Sequence, residues 1–489
     1  MLLALSAPPL FAGGSSLRLR LLQLAAVLVV SLPLYWVLGP QPVAWLAWCA
    51  PLPLLLLALR SSRMDAAWMT LAAALLGLSS NIAYFSLLMP VPIIALVLAV
   101  KAALWLLVVL ATRALVLRYQ AGWTVLVYPV VWVALDTLMA ALLPDGNWGS
   151  LAYSQADNLP MLQVAARAGV PGLLVLLCLA PSALALLLVG GRRFVRVAMA
   201  SLLVLLLAWA GGAWRLHGAP TQPATRVALV AIDDFIGPAT PPARAQAVWD
   251  QYARHVEELA AQGATLIVLP EKIAVLTPVQ ASAVQQRFSL LAQRSRAWIT
   301  LGLGVQDGPG RRNLARLFAP DGAAPLSYQK HHLAPPEREF LPGASYVVQA
   351  VAGRTMGLAI CKDMHFARFG AAYGRAGAGA DVMLVPAWDF QLDAWMGARM
   401  TQVRGVENGY AVLRAAREGL LTVSDAYGRV LAQTASSTMP GSVLLASLPP
   451  RADVAPWAPW LAPLFGWICV AASALLMALR LRHKRSTGA

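Results

Sequence analysis

Charged side chains are scarce in this chain: Asp, Glu, Lys and Arg make up 12% of 489 residues, against 59% hydrophobic residues. With a mean hydropathy of +0.64, that scarcity excludes an ordinary soluble protein, in which about a quarter of residues are charged. Acidic residues are the scarcer sign, 22 against 38 basic. Cysteine is rare too, four in all, and Cys49, Cys178 and Cys469 lie in long apolar stretches. Only Cys361 stands outside them, so no disulfide framework is available to the more polar part of the chain. The histidines offer no metal site, because His331, His332 and His365 lack ligand spacing with any carboxylate or cysteine cluster. Neither a metal nor a cofactor is implied, and no internal repeat or low-complexity segment is present.

What is abundant is apolar sequence in runs of membrane-spanning length. Runs at about 20–38, 43–59, 66–89, 91–112, 123–143, 165–189 and 194–214, with an eighth at about 457–479, each approach the roughly 20 residues that cross a hydrocarbon core as a helix. This predicts a polytopic α-helical membrane protein of about eight transmembrane helices, interrupted once by a large insert. The expected division is 1–218 for a membrane domain of seven helices, 219–450 for the insert, and 451–489 for a last helix and basic tail. The first span reads as an uncleaved helix, since it is too long for a signal peptide and lacks the usual small-residue cleavage site.

Arginine placement then predicts orientation. Arg18 and Arg20 precede the first span, Arg60 and Arg63 follow the second, Arg113 and Arg118 the fourth, and Arg192, Arg193 and Arg196 lie between the sixth and seventh. The intervening connections at 39–42, 89–92 and 144–158 carry no Lys or Arg, and the tail at 480–486 is basic. Both termini are therefore expected in the cytoplasm and the insert outside. The net charge of +16 is explained by these topology signals facing anionic lipid, and no nucleic-acid partner is implied. Lys101, within the fourth span, is costly at membrane depth and calls for a partner or cavity; Asp136 is one candidate. Trp457 and Trp460 mark a membrane interface or, less simply, border a lipid access path.

Residues from about 224 to 448 change character. The β-type runs RVALVAI, TLIVLP, WITLGLGV, TMGLAIC, DVMLVP, YAVLRAA and GSVLLASL alternate with helix-like stretches, which predicts a layered α/β domain. GPGRR at 308–312 and PDG at 320–322 read as hairpin turns, and GRAGAGAD at 374–381 as a tight helix-to-strand turn and not a phosphate loop. Glu271 in LIVLPEK, Lys330 in YQKHHLAP and Cys361 in GLAICKD all follow such runs, so they can meet at one sheet edge. Each alone is more often a solvated loop residue or a small buried hydrophobe. Together they supply a base, a cation and a nucleophile, the parts thiol catalysis needs.

These residues resemble the Glu-Lys-Cys set of the carbon–nitrogen hydrolase (nitrilase) superfamily, in that order and at comparable spacing. NWGSLAYSQ at 147–155, RRNLARLFAPDG at 311–322, YQKHHLAPPEREFLP at 328–342, GADVMLVP at 379–386 and VRGVENGYAVLRAA at 403–416 add to the likeness. Combined with the helix pattern, the chain resembles the membrane branch of that superfamily, the apolipoprotein N-acyltransferases, over essentially its whole length. The resemblance implies a nitrilase-like αββα sandwich for the insert, a bacterial inner-membrane location with the catalytic domain periplasmic, and a monomer. It implies Glu271 as general base, Lys330 and the backbone N–H of Lys362 at the oxyanion, and Cys361 as nucleophile. A membrane phospholipid would be the acyl donor and a diacylated lipoprotein the acceptor, with ping-pong kinetics. The family's second glutamate best matches Glu339, with Glu337 as the alternative. Departures accompany the likeness: Cys361-Lys362-Asp363 stands where Cys-Tyr-Glu is usual, suggesting that Lys362 depresses the thiol pKa or reshapes the pocket. Trp388 replaces an asparagine in the loop near the site. A divergent member, a paralogue with another amine acceptor, or a membrane-tethered amidase or hydrolase remain alternatives, and 333–344 is the expected place for a lid.

Overall fold

The structure is a computed structural model describing residues 17–486 apart from 223, 309, 352, 375–377 and 451–457. Trp457 thus lies outside the described residues. Residues 1–214 with 460–489 form one compact unit, and 215–459 a second.

The first unit is helical. Among the described residues, six segments are long and apolar enough to cross a membrane: Leu17–Leu38, Arg63–Leu88, Val91–Tyr119, Gly122–Leu142, Ala165–His217 and Trp460–Ala478. The fifth contains two helices, Ala165–Gly190 and Val195–His217, separated where Gly191 takes a φ of 63°. The apolar run at 43–59 is helical over a shorter stretch, Leu46–Leu59. Its main helix starts only at Pro51, since prolines at 40, 42, 51 and 53 remove the donors an earlier start would use. Nine residues of α-helix extend only about 14 Å. Arg113 closes that helix's C-terminal end, its guanidinium donating to the carbonyls of Ala58 and Ser61 at 2.8 Å each. Lys101 does not form an ion pair with Asp136 among the described residues; its ammonium lies 5.6 Å from the Trp148 ring centroid. Asp136 accepts from Asn147 instead, and Asn147 from the Tyr153 hydroxyl.

Among its described residues the second unit has thirteen strands: β1 (Thr225–Ala231), β2 (Leu266–Val268), β3 (Val275–Leu276), β4 (Trp298–Asp307), β5 (Gly310–Phe318), β6 (Leu326–Gln329), β7 (Val348–Val351), β8 (Arg354–Leu358), β9 (Val382–Trp388), β10 (Ala411–Arg417), β11 (Leu420–Ser424), β12 (Val430–Ala435) and β13 (Ser442–Leu448). They make two sheets, ordered β13-β1-β2-β4-β5-β6, with β3 also on β4, and β12-β11-β10-β9-β8-β7. The period-2 alternation of β1 explains the layering. Val227, Leu229 and Ala231 join Leu358, Leu384 and Leu413 of the other sheet in the central core. Ala228 and Val230 face the opposite way, against Val248, Tyr252, Val256 and Phe288 of helices Pro242–Ala261 and Pro278–Ser295. Helices Ala367–Tyr373 and Ala394–Asn408 accompany the second sheet. Sheets covered on both faces explain why strands such as β10 are buried throughout, without polar alternation. All seven β-type runs of the sequence are strands, and the two expected hairpins join β4 to β5 and β5 to β6 in antiparallel pairs.

Candidate active site

Cys361 lies three residues past the end of β8 and opens a 3₁₀ turn, Cys361–His365. Its φ of 41° is left-handed, a conformation that costs a non-glycine residue about 1–3 kcal/mol and so needs surrounding structure to hold it. Asp363, fully buried, does much of the holding. Its carboxylate accepts from the Ile360 N–H (3.1 Å), the Tyr328 hydroxyl (2.7 Å), and the N–H groups of His331 (3.1 Å) and His332 (2.8 Å). One side chain thus fixes both the thiol's turn and the chain just after Lys330.

Glu271 sits beyond the end of β2, where its N–H donates to Ala387 on β9 of the other sheet, 3.2 Å away. The backbone passes so close to β4 that a Cβ on Gly302 would lie 2.3 Å from the Pro270 carbonyl and 2.6 Å from the Glu271 Cα, which excludes a larger residue there. Lys330, beyond β6, donates to Glu271 Oε1 and to Glu337 Oε2, each at 2.8 Å. Lys272 donates to Glu337 Oε1 at 2.5 Å, and Asn313 Nδ2 bridges Glu271 (2.6 Å) and Glu337 (2.7 Å). These five residues are all buried, and two carboxylates against two ammoniums leave the group neutral, the condition under which buried charge is tolerated. Burial alone would lower the Lys330 pKa, but Glu271 and Glu337 hold it well above its ordinary value. Burial likewise opposes ionisation of Glu337, yet Lys330 and Lys272 keep its carboxyl well below the usual range.

The thiol is in the opposite condition. Burial first, and the Glu271 charge next, push Cys361 up to about 12 against the pull of Lys330 and Arg414. At neutral pH roughly one thiol in 10⁵ is then ionised, so a base must take the proton as the sulfur attacks. Glu271 Oε2 has no hydrogen-bond partner among the described residues, whereas Oε1 is fully engaged. The arrangement provides a neutral nucleophile, a carboxylate oxygen with spare acceptor capacity, and a fixed ammonium for developing negative charge.

The other expected residues fall differently. Glu339 is not in the cluster: its side chain is 70% exposed and pairs with Arg311 at 2.7 Å. The turn Pro335–Glu337 points Glu337 inward instead, its carboxylate also accepting from the Ala334 N–H. The Lys362 ammonium donates to the Leu333 carbonyl at 2.9 Å, and the cations that pull the thiol pKa down are Lys330 and Arg414. The expected lid is stitched down, with Leu341 donating to Arg311 and Gly343 to Lys330 through the backbone. Trp388 does flank the site: its carbonyl accepts from Cys361 Sγ at 3.5 Å, and Lys272 and Arg417 lie 4.8 and 3.7 Å from its ring. Lys272, Asn313, Asp363, Arg414 and Arg417 carried no assigned place in the sequence reading. Polar residues inside strands, as Asn313 and Arg414 are, were the available signal.

The model of the Carbon-nitrogen hydrolase family matches residues 226–457, and that of the Apolipoprotein N-acyltransferase N-terminal domain matches residues 26–183. An apolipoprotein N-acyltransferase of Geobacter metallireducens is 27% identical over 400 residues, covering 73% of this chain and 74% of the relative. One of Gloeobacter violaceus is 28% identical over 452 residues, covering 80% and 82%. Among solved structures, an amidase from Nesterenkonia sp. is 23% identical with a TM-score of 0.40, covering 47% of this chain and 93% of its own. With both family models matched in order and curated relatives aligned along most of its length, the chain is similar to the apolipoprotein N-acyltransferases in both its helical and its α/β part.

Proposed function

We propose that this protein transfers an acyl chain from a membrane phospholipid, through a thioester on Cys361, to the α-amine of a diacylglyceryl-cysteine at a lipoprotein's N-terminus. The observation that carries the reading is the buried Glu271–Lys330–Glu337 group around a neutral thiol, in a chain similar to the apolipoprotein N-acyltransferases. Glu271 takes the thiol proton as Cys361 Sγ attacks the ester carbonyl. The tetrahedral oxyanion is met by the Lys330 ammonium and the backbone N–H of Lys362. As the carbon–oxygen bond breaks, Glu271 returns the proton to the glycerol oxygen, and a lysophospholipid leaves. In the second half, the acceptor amine attacks the thioester, Glu271 takes its proton, and the thiolate leaves and is reprotonated. Glu337 holds Lys330 charged and in place throughout.

The protein is a bacterial membrane protein. Loop arginines support a finer assignment, an inner-membrane enzyme with both termini cytoplasmic and the catalytic domain periplasmic; the family likeness adds that it acts as a monomer. The test is intact-protein mass spectrometry after incubation with phospholipid, before and after a diacylated lipopeptide is added. An acyl-sized gain on Cys361 that disappears as triacylated peptide forms is expected. An adduct discharged only by water, or by no added peptide, would overturn the lipoprotein acceptor, and no adduct would overturn the acyltransferase.

A further inference from the structure

Cys361, Trp388 and Arg417 lie in a row at the ends of β8, β9 and β10, three parallel neighbours in which Trp388 and Arg417 are directly paired. Ends of parallel strands are where α/β sheets present ligands. Arg417 is unusual there. Its residue is only 1% exposed, yet Nε and both Nη atoms have no hydrogen-bond partner among the described residues. The guanidinium lies against the Trp388 ring at 3.7 Å and the Phe235 ring at 4.8 Å. The Trp388 indole N–H, buried beside it, is also without an acceptor. Glu418, Glu271 and Asp233 act on Arg417 only through their field, and the Asp233 carboxylate is taken up by the Glu418 N–H. Two neighbouring residues therefore present several buried donors and no acceptor, Trp388 one strand spacing and Arg417 two, about 5 and 10 Å, from the thiol strand. Buried donors are ordinarily satisfied, and a planar guanidinium matches the paired oxygens of a phosphate.

We propose that Arg417, helped by the Trp388 indole N–H, binds the phosphodiester of the donor lipid and so sets the preference for glycerophospholipid over uncharged acyl esters. The inference rests on the acyltransferase reading. Of its two substrates, only the donor carries an anion a few bonds from the reacting carbonyl; the acceptor brings an amine, which a guanidinium repels. Phe235, 39% exposed, is the ring a phosphate must move past or share.

The experiment measures Cys361 acylation rates by intact mass in the full-length protein in detergent, with phosphatidylethanolamine and with diacylglycerol of the same chains. Arg417→Gln should lower the phospholipid-to-diacylglycerol rate ratio about tenfold or more. Arg417→Lys, which keeps the charge but not the fork, should restore part of it. Trp388→Phe, which keeps a ring but removes the N–H, should lower the ratio by a smaller factor and serves if Arg417→Gln does not fold. An unchanged ratio in these variants, with wild type acylated by both lipids, overturns the inference alone; no acylation of wild type by either lipid overturns the reading beneath it as well. Added inorganic phosphate should slow acylation by phosphatidylethanolamine more than by diacylglycerol. Equal slowing of both in wild type and of neither in Arg417→Gln would assign the site to a free anion and overturn the lipid assignment.

Discussion

Replacing Glu337 and Glu339 in turn by glutamine separates a carboxylate built into the site from one beside it in sequence. Glu337 accepts from Lys272, Lys330, Asn313 and the Ala334 N–H with its side chain 2% exposed. Glu337→Gln removes one of two negative charges facing two buried ammoniums and turns an amide N–H₂ toward one of them. Breaking a buried pair from one side costs about 3–5 kcal/mol. If about 2–4 kcal/mol of that appears as lost placement of Lys330 at the oxyanion, acylation slows roughly 30- to 1000-fold. Glu339, exposed and held by one arginine, should change stability by at most about 1 kcal/mol and acylation by less than about threefold. The assay is the single-turnover rate of mass gain on Cys361, read beside thermal unfolding in the same detergent. Equal rates for the two variants, or Glu337→Gln within threefold of wild type, would refute the reasoning. Because the Glu337 carboxyl is held down, its contribution to stability is complete above the unfolded value of about 4.3 and is lost as the pH falls below it. The unfolding temperatures of wild type and Glu337→Gln should therefore differ most above about pH 5 and draw steadily closer as the pH falls below about 4.

Cys361→Ala should give no acyl adduct, Glu271→Gln should form none on the timescale of wild-type turnover, and Lys330→Ala should slow adduct formation about 10²–10³-fold, all read by intact mass. With its pKa near 12, the Cys361 thiol should react with iodoacetamide at a rate that climbs about tenfold per pH unit from 7 to 10, measured against Cys361→Ala. A plateau near neutral pH would contradict the raised value. Tyr328→Phe removes one of the donors to Asp363 and should cost about 1 kcal/mol in unfolding free energy. Asp363→Ala removes the acceptor of them all and should abolish acylation or the fold.

Much of the catalytic unit was legible because its strands are continuous apolar runs bounded by turn residues, a pattern that survives without tertiary knowledge. Glu271 and Cys361 were legible because each stands at the end of such a run, Lys330 because it follows the short strand β6, and strand ends converge. The second glutamate was not. Glu337 and Glu339 differ by two residues, and only the 3₁₀ turn begun by Pro335 and Pro336 decides which faces inward. Lys272 adjoins Glu271 in sequence, yet its left-handed φ of 44° aims the side chain in a way that no periodicity predicts. Asn313 and Arg417 depend on which strands lie side by side, a long-range property. In the membrane unit, hydropathy found the apolar runs but not the prolines' shortening of the stretch at 46–59.

The pairing of β1 with β13 has a mechanical side. The first and last strands of the catalytic unit run antiparallel through seven residue pairs, from Thr225 with Leu448 to Ala231 with Ser442. Its two connections to the rest of the chain consequently leave from the same end of one ladder. Tension applied through them pulls the strands apart like a zipper, loading one bonded pair at a time; strands attached at opposite ends would share the load in shear. Opening would start at Thr225 and Leu448 and move inward, so a modest pull along these tethers should peel β13 off its sheet before it disturbs the layers around Cys361.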